Sequence, residues 1–303
     1  MKKITIGARG SKLSLVYATK VKKLILEIDE NFQEHNIEIL KIKTLGDKLH
    51  DKKISEIGGK NLFCKEIEES LLKQKIDIAV HSLKDMEAKE DENLIIGAFL
   101  KRNDPRDVLI VKDLKKINKN IIIGSSSRRR QLQLKLINKN FSFSHLRGNI
   151  DTRIAKFENT NLDGIVLAAA GVKSLNFQNK IKKFFSYGEM LPAAGQGIIA
   201  AQCRQNDSKI LKILNKINNE ESKICAQAER EIIKEIGGNC DTAIGAFAQL
   251  ENEKIKVKAQ LFSDDGKKVY NYELEGDKFD SISLGKKIGR ELLKLAGTQF
   301  KKK

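Results

Sequence analysis

Apolar positions along this chain follow two rhythms that alternate up to about residue 202. Short β-branched runs read as strands at Lys3 to Gly7, Ile37 to Lys43, Asp77 to Val80, Leu94 to Phe99, Val108 to Val111, Ile121 to Ile123, Phe141 to Ser144, Gly164 to Leu167 and Ile198 to Gln202. Between them lie helix-period segments. In Leu13 to Ile28 the residues 13, 17, 21, 24, 25 and 28 hold one face of a helix of about 3.6 residues per turn, and Leu62 to Leu72 and Arg129 to Ile137 read the same way. Strand and helix in alternation predict parallel α/β architecture.

After about Asn218 the order changes. A long helix through Ile236 is followed by three strand-like runs (Ala243 to Leu250, Ile255 to Phe262, Lys268 to Leu274) and a closing helix from Ile282 to Leu295, which predicts a separate α+β unit. The two prolines, Pro105 and Pro192, stand in non-periodic stretches and read as crossovers between blocks. No internal repeat is visible in the sequence.

Composition narrows the function classes. A chain of 303 residues has room for two or three domains with ordinary cores. With 40% apolar and 32% charged residues it is not a disordered polyelectrolyte, and no run nears the roughly 18 apolar residues of a membrane span. The start, Met1 to Gly7, lacks the apolar stretch of a signal peptide, so a cytoplasmic location is expected, with no membrane partner. The formal charge of +17 comes from lysine, which supplies 46 of the 57 basic residues and is spread along the chain, so it reads as solvated surface. No tryptophan and only 6% aromatics argue likewise against a nucleic-acid partner. Cysteines at 64, 203, 225 and 240 and histidines at 35, 50, 81 and 145 show no zinc-ligand spacing, so no metal is expected.

Arginine is scarce and clustered: five of 11 (Arg128, Arg129, Arg130, Arg147, Arg153) fall within 26 residues. The first three follow a strand, Gly124 and Ser125-Ser126-Ser127, where free N–H groups, hydroxyls and the helix dipole favour an anion and guanidinium groups add bidentate grip. His145-Leu146-Arg147-Gly148-Asn149-Ile150-Asp151-Thr152-Arg153 repeats that logic after the next strand, with Asn149 or Asp151 as helix cap. Ala8-Arg9-Gly10-Ser11-Lys12 and His81-Ser82-Leu83-Lys84-Asp85 make a third and a fourth. All four lie at the carboxyl ends of predicted strands, the edge that lines the ligand crevice of an open α/β sheet, so they are expected to converge on a polyanionic ligand. Asp85 is either an ion-pair partner of Lys84 or an arginine, or a buried acid that stabilises a cationic intermediate or moves a proton.

Gly195-Gln196-Gly197-Ile198-Ile199-Ala200 matches a dinucleotide fingerprint by letter, but it follows Leu191-Pro192 and precedes its strand, the wrong context for one. Gly58-Gly59-Lys60-Asn61 lacks the remainder of a P-loop and reads as a flexible loop, with Thr44 to Asn61 as a candidate lid. Gly237-Gly238-Asn239-Cys240-Asp241 ends the long helix in a loop, presenting Cys240 either as a nucleophile or attachment point or as a buried inert thiol.

Together these stretches resemble the porphobilinogen deaminase family, also called hydroxymethylbilane synthases. The resemblance runs through Ala8-Arg9-Gly10-Ser11, Gly58 to Phe63, Asp77 to Asp85, Asn103-Asp104-Pro105-Arg106-Asp107, Gly124 to Ser127 with Arg129-Arg130-Gln131, Leu146-Arg147-Gly148-Asn149, Leu191 to Gly197 and Cys240. It implies two type II periplasmic-binding-protein-like α/β domains joined by two crossovers, plus a small C-terminal α+β domain. The boundaries expected here are 1–99 with 196–217, 100–195, and 218–303.

The implied reaction is stepwise condensation of four porphobilinogen molecules with loss of ammonia, and hydrolysis to hydroxymethylbilane, on a dipyrromethane cofactor held by a thioether to Cys240. By the same resemblance Asp85 assists departure of the amine and stabilises the positive azafulvene and the pyrrole N–H groups. Lys84, Ser82, Ser125, Ser127, Arg129, Arg130 and Arg153 hold mainly cofactor carboxylates. Arg9, Ser11 and Arg147, with Arg153 and Gln196, hold those of the incoming ring, and a monomer is implied. Tyr17, Met86-Glu87, Arg128, Ser174 and Ala243 depart from the family pattern, and Arg128 is a candidate to compensate for a substrate contact absent at Ser174. The competing readings are a non-catalytic polycarboxylate or solute-binding protein, a nucleic-acid binder, and an acyl or phosphoryl transferase using Cys240.

Overall fold

The computed structural model describes residues 3–28, 32–45, 64–116, 120–238 and 242–300. They form two compact units, Met1–Asn103 with Ile198–Lys223 and Asp104–Gly197 with Ile224–Lys303.

The first unit is built on β1 (Ile4–Arg9), β2 (Ile37–Ile42), β3 (Ile78–Ser82), β4 (Leu94–Phe99) and β10 (Ile199–Arg204), in the order β2-β1-β3-β10-β4. β1 is parallel to β2 and β3, whereas β10 runs antiparallel to β3 and β4. Alternation along β3 sends Ile78 and Val80 to one face, against α1 (Lys12–Ile28) and α6 (Ser208–Ile217), and Ala79 to the other, against α2 (Lys65–Leu72). Ile6, Ile25, Ile78 and Leu214 are completely buried, each stabilising the fold by about 1.5–3 kcal/mol.

The second unit repeats the plan with β5 (Asp107–Val111), β6 (Ile122–Gly124), β7 (Ser142–Ser144), β8 (Gly164–Ala168) and β9 (Lys183–Phe184), in the order β7-β6-β8-β5-β9. β6 is parallel to β7 and β8, and β5 runs antiparallel to β8 and β9. Its faces are covered by α3 (Arg128–Ile137) on one side and α4 (Ile150–Glu158) and α5 (Ala169–Ser174) on the other. One detail is shared to the atom. Asp77, just before β3, accepts the Thr5 N–H at 2.9 Å, and Asp163, just before β8, accepts the Ile122 N–H at 2.8 Å. The chain thus contains a topological repeat that its sequence does not display.

The C-terminal part carries α7 (Glu220–Ile236), the antiparallel sheet β11 (Ile244–Glu251), β12 (Lys254–Phe262) and β13 (Val269–Asp277), and α8 (Ser281–Ala296). Ala228, Ile232, Val257, Leu261, Ile288 and Leu292 share its apolar core.

One expectation needs correction. The sheets are mixed rather than parallel, because β5 and β10, each the first strand laid down after the chain enters a unit, run against their neighbours. The helix expected after Asn218 is present as α7, but the pattern missed the one before it, α6; the chain breaks between them at Asn218 and Asn219, which bond the backbone of Phe99 at 2.9 and 2.8 Å. The pattern also missed β9, two residues long. The three described cysteines, Cys64, Cys203 and Cys225, are buried and form no disulfide, packing as small hydrophobes do.

Candidate active site

In the first unit, β1 and β3 are direct parallel neighbours, so the turns leaving their carboxyl ends lie side by side. β1 ends at half-buried Arg9. Ser11 then caps α1: its Oγ accepts the Ser14 N–H at 3.3 Å and donates to the Ser14 Oγ at 2.8 Å. β3 ends at Ser82 and passes into one 3-10 turn, Leu83–Asp85. That turn drives Leu83 into the core, leaves Lys84 half-buried and carries Asp85 outward. Asp85 is therefore an exposed acid, which sets aside the buried acid that was one of its two readings.

Behind this turn lies Cys64, at the start of α2, whose Sγ donates to the Asp85 carbonyl at 3.5 Å. Burial pushes the Cys64 thiol well above its ordinary range; Asp85 and Glu68 add to that rise and Arg9 opposes it. Arg9 and Asp85 thus both act on one buried sulfur. His81, on β3 itself, is buried, and burial pushes its imidazole down to about 4, with Gln202 on β10 acting in the opposite sense.

In the second unit, β6 and β7 are parallel neighbours, and the turns that follow them interlock. Ser125 N–H donates to the Ser144 carbonyl at 3.0 Å, and Ser126 Oγ donates to the Leu146 carbonyl at 2.9 Å and lies 3.1 Å from His145 Nδ1. Ser127 and Asn149 occupy the N-cap positions of α3 and α4, and neither side chain closes onto its helix. The leading N–H groups of two helices are left without a side-chain cap, each beside arginines. Gly148, at φ +115°, takes a conformation that side chains rarely adopt; it turns the chain after Arg147, and its carbonyl accepts from Arg153 Nε at 2.6 Å.

Arg129 and Arg130 lead elsewhere than the motif suggested. Asp107, completely buried at the start of β5, accepts Arg129 Nη1 on Oδ2 at 2.7 Å and Arg130 Nε and Nη2 on Oδ1 at 3.0 and 2.8 Å. Gln196 Nε2 joins Oδ1 at 3.1 Å and donates to the Pro105 carbonyl at 2.6 Å. Arg130 Nη1 reaches the Val166 carbonyl at 3.2 Å, and Arg129 Nη1 also reaches the Leu191 carbonyl at 2.6 Å. The Nε–Nη2 edge of Arg129 bonds to no described residue. Burial holds Arg129 below the usual arginine range, and Asp107 works against that fall.

Asp104 is the neighbouring acid. Arg106 grips it at 2.9 and 2.8 Å, and Lys173 at 2.8 Å. Burial opposes its charge, yet these cations hold its carboxyl well below the ordinary range. Asp107 and Cys64 were missed as site residues. The signal for Asp107 was legible, since an acid opening an otherwise apolar strand, Val108 to Val111, must be paired. Cys64 gave none.

Arg128 donates to the Asp264 carbonyl in the β12–β13 turn, which commits it to the C-terminal part instead of to a gap at Ser174. Cys240, the Gly58 to Phe63 stretch and most of the proposed lid lie outside the described residues. Among the described residues no group of three or more His, Cys, Asp or Glu side chains could hold a metal ion, and no helix is long and apolar enough to cross a membrane.

Comparison with known proteins agrees along the whole chain. The family model "Porphobilinogen deaminase, dipyromethane cofactor binding domain" matches residues 4–212, and "Porphobilinogen deaminase, C-terminal domain" matches 223–294. The porphobilinogen deaminase of Alkaliphilus metalliredigens is 40% identical over 296 residues, covering 97% of this chain and 93% of the relative. Those of Syntrophomonas wolfei and Coxiella burnetii are 38% and 39% identical, over 98% and 97% of this chain and 97% and 95% of their own. Among solved structures, a substrate binding domain of a putative amino acid ABC transporter from Streptococcus pneumoniae overlaps 71% of this chain and 90% of its own, at 12% identity and a TM-score of 0.43.

Proposed function

The chain belongs to the porphobilinogen deaminase family, and on that premise we propose which of its residues carry the family's reaction. The protein is a transferase of tetrapyrrole biosynthesis that condenses four porphobilinogen molecules, with loss of ammonia, and releases hydroxymethylbilane; its cofactor is dipyrromethane. Enzyme relatives matching 97% of the chain set aside the non-catalytic binding alternative.

The donor set suits the cofactor. Each pyrrole ring carries an acetate and a propionate, and the second unit offers carboxylates two helix starts without side-chain caps, Ser125 and Ser127, the open edge of Arg129, and Arg153. When bound, dipyrromethane supplies the pyrrole carbon to which the next ring is joined. Lys84 and Ser82 complete its carboxylate contacts, and Arg9, Ser11 and Arg147 hold the carboxylates of the incoming ring. Cys240 is the attachment residue, in the part of the chain, 218–303, read as a third domain, and the apolar core through Ala228, Val257 and Leu292 supports that reading.

Asp85 is the catalytic residue. Its carboxylate oxygens accept the pyrrole N–H and the departing ammonium, so that positive charge developing on the ring meets a fixed negative one. One observation carries this assignment: Asp85 stands one turn beyond β3, the parallel neighbour of the strand that ends in Arg9, so neighbouring strand ends carry an acid and a cation.

The test is the intact mass of the denatured protein beside its Cys240→Ser variant, both made with a porphobilinogen supply. An increment of two linked pyrroles on the first alone supports the reading; no increment on a folded wild type removes its support. The enzyme is read further as a cytoplasmic monomer acting without nucleic acid, and light scattering at working concentration tests the oligomeric state.

A further inference from the structure

A carboxylate taken wholly out of water is stable only with charged and hydrogen-bonded partners, and Asp107 has gathered several from distant parts of the chain. Arg129 and Arg130 come from the first turn of α3, and Gln196 from the segment that precedes β10. Their division of labour is unequal. Arg130 spends its Nε–Nη2 fork on Asp107 and its Nη1 on the Val166 carbonyl, and Gln196 spans Asp107 and the Pro105 carbonyl. Arg129 uses one nitrogen alone, shared between Asp107 and the Leu191 carbonyl.

We infer that Asp107 is a positioning residue: braced by Arg130 and Gln196, it pins Arg129 by Nη1 so that the Nε–Nη2 edge is presented to a ligand carboxylate. The inference rests on the reading that Arg129 grips a cofactor carboxylate. It assigns adjacent arginines different work, Arg130 as brace and Arg129 as grip. It also explains why Leu191 matters: its carbonyl is the second anchor of Nη1, and Gln133 holds Leu191 at both its N–H (2.6 Å) and its carbonyl (3.0 Å). Misplacing a gripping group by even an ångström slows an oriented reaction by about two orders of magnitude, so a rigid mount has a kinetic consequence.

The experiment compares wild type, Asp107→Asn, Arg130→Lys and Arg129→Met, all produced with a porphobilinogen supply. Thermal unfolding reads the fold, intact mass reads cofactor occupancy, and kcat and KM are measured on the loaded protein. Asp107→Asn is expected to unfold cooperatively, to lose cofactor occupancy, and to show kcat reduced at least about tenfold with KM moving less than about threefold, because the incoming ring is held elsewhere. Arg130→Lys, which keeps charge but loses the fork, is expected to shift kcat in the same direction by less. Full occupancy and wild-type kcat in folded Asp107→Asn overturn the inference. If that variant does not fold, Arg130→Lys decides in its place, unchanged occupancy and kcat overturning it. Arg129→Met separates the inference from its premise: if it is unimpaired, the cofactor role of Arg129 falls, whereas an impaired Arg129→Met beside an unimpaired Asp107→Asn sinks the positioning role alone.

Discussion

The Sγ of Cys64 lies 3.5 Å from the carbonyl oxygen of Asp85, tying the start of one helix to the turn that bears the carboxylate proposed to do the chemistry. Removing the sulfur leaves a small cavity and takes a donor from the Asp85 carbonyl. Cys64→Ala is expected to cost about 1–2 kcal/mol of stability and to lower kcat several-fold with KM nearly constant. Cys64→Ser, which keeps a donor, should recover part of the kcat loss. Because burial and the nearby acids keep this thiol protonated, native protein at pH 8 should resist alkylation at Cys64, as read by mass spectrometry of digests.

Asp85 is exposed, so its replacement separates chemistry from folding. Asp85→Asn should leave the unfolding midpoint unchanged, within about 0.5 kcal/mol of stability, while kcat falls by about two to four orders of magnitude. A comparable fall in stability would mean that the loss of activity is structural.

His81 makes stability depend on pH in a definite direction. In the unfolded chain its imidazole takes up a proton near pH 6.5, but in the folded protein burial delays this to about pH 4. Between those values the unfolded state binds more protons, so stability present above pH 6.5 drains away as the pH falls, by up to about 3 kcal/mol at pH 4 and below. Denaturant unfolding of wild type and His81→Gln across this range checks it: the wild-type slope should be the steeper.

Arg128 belongs to the attachment of α3 to the β12–β13 turn. Arg128→Leu should therefore leave KM for porphobilinogen unchanged and cost less than about 1 kcal/mol, as an exposed contact does. A several-fold rise in KM would restore it to the substrate site.

Gly245 opens the approach of β11 to Leu191, whose carbonyl accepts from Arg129. A Cβ there would stand 2.7 Å from that of Leu191 and 2.9 Å from the Leu191 carbonyl oxygen, the oxygen that anchors Nη1. Gly245→Ala should cost about 1–3 kcal/mol by overpacking and, by displacing Leu191, lower kcat as well. Calorimetry and steady-state kinetics on the same preparation test both parts.

The strands and helices were legible wherever burial imposes a clear period. Leu94–Phe99 was read to the residue, and Leu13 to Ile28 missed α1 by one position, because one-sided burial writes itself into the sequence. Strand direction was not legible: the run at Ile199–Arg204 looks the same whichever way it lies between its neighbours. The four turns could be assigned to strand ends because glycine, serine and arginine there answer to local geometry. What those arginines bond is a matter of tertiary structure. Arg129 and Arg130 are adjacent letters in one motif, yet one keeps an open edge and the other is engaged along its whole fork, a difference set by Asp107 and Val166.

The place of β10 has a consequence for how this protein is made. Ala201 pairs with Val80, and Ala200 with Phe99, so the strand that fills the gap between β3 and β4 is synthesised about a hundred residues after them. On the ribosome, therefore, the first strands to emerge wait with bare edges while the whole of the next sheet is translated. Their hydrogen-bonding groups stay open to any passing strand for that interval, the kind of unpaired edge on which aggregation starts. A chain that stops before residue 199 has every strand of the second sheet but leaves the first one open between β3 and β4.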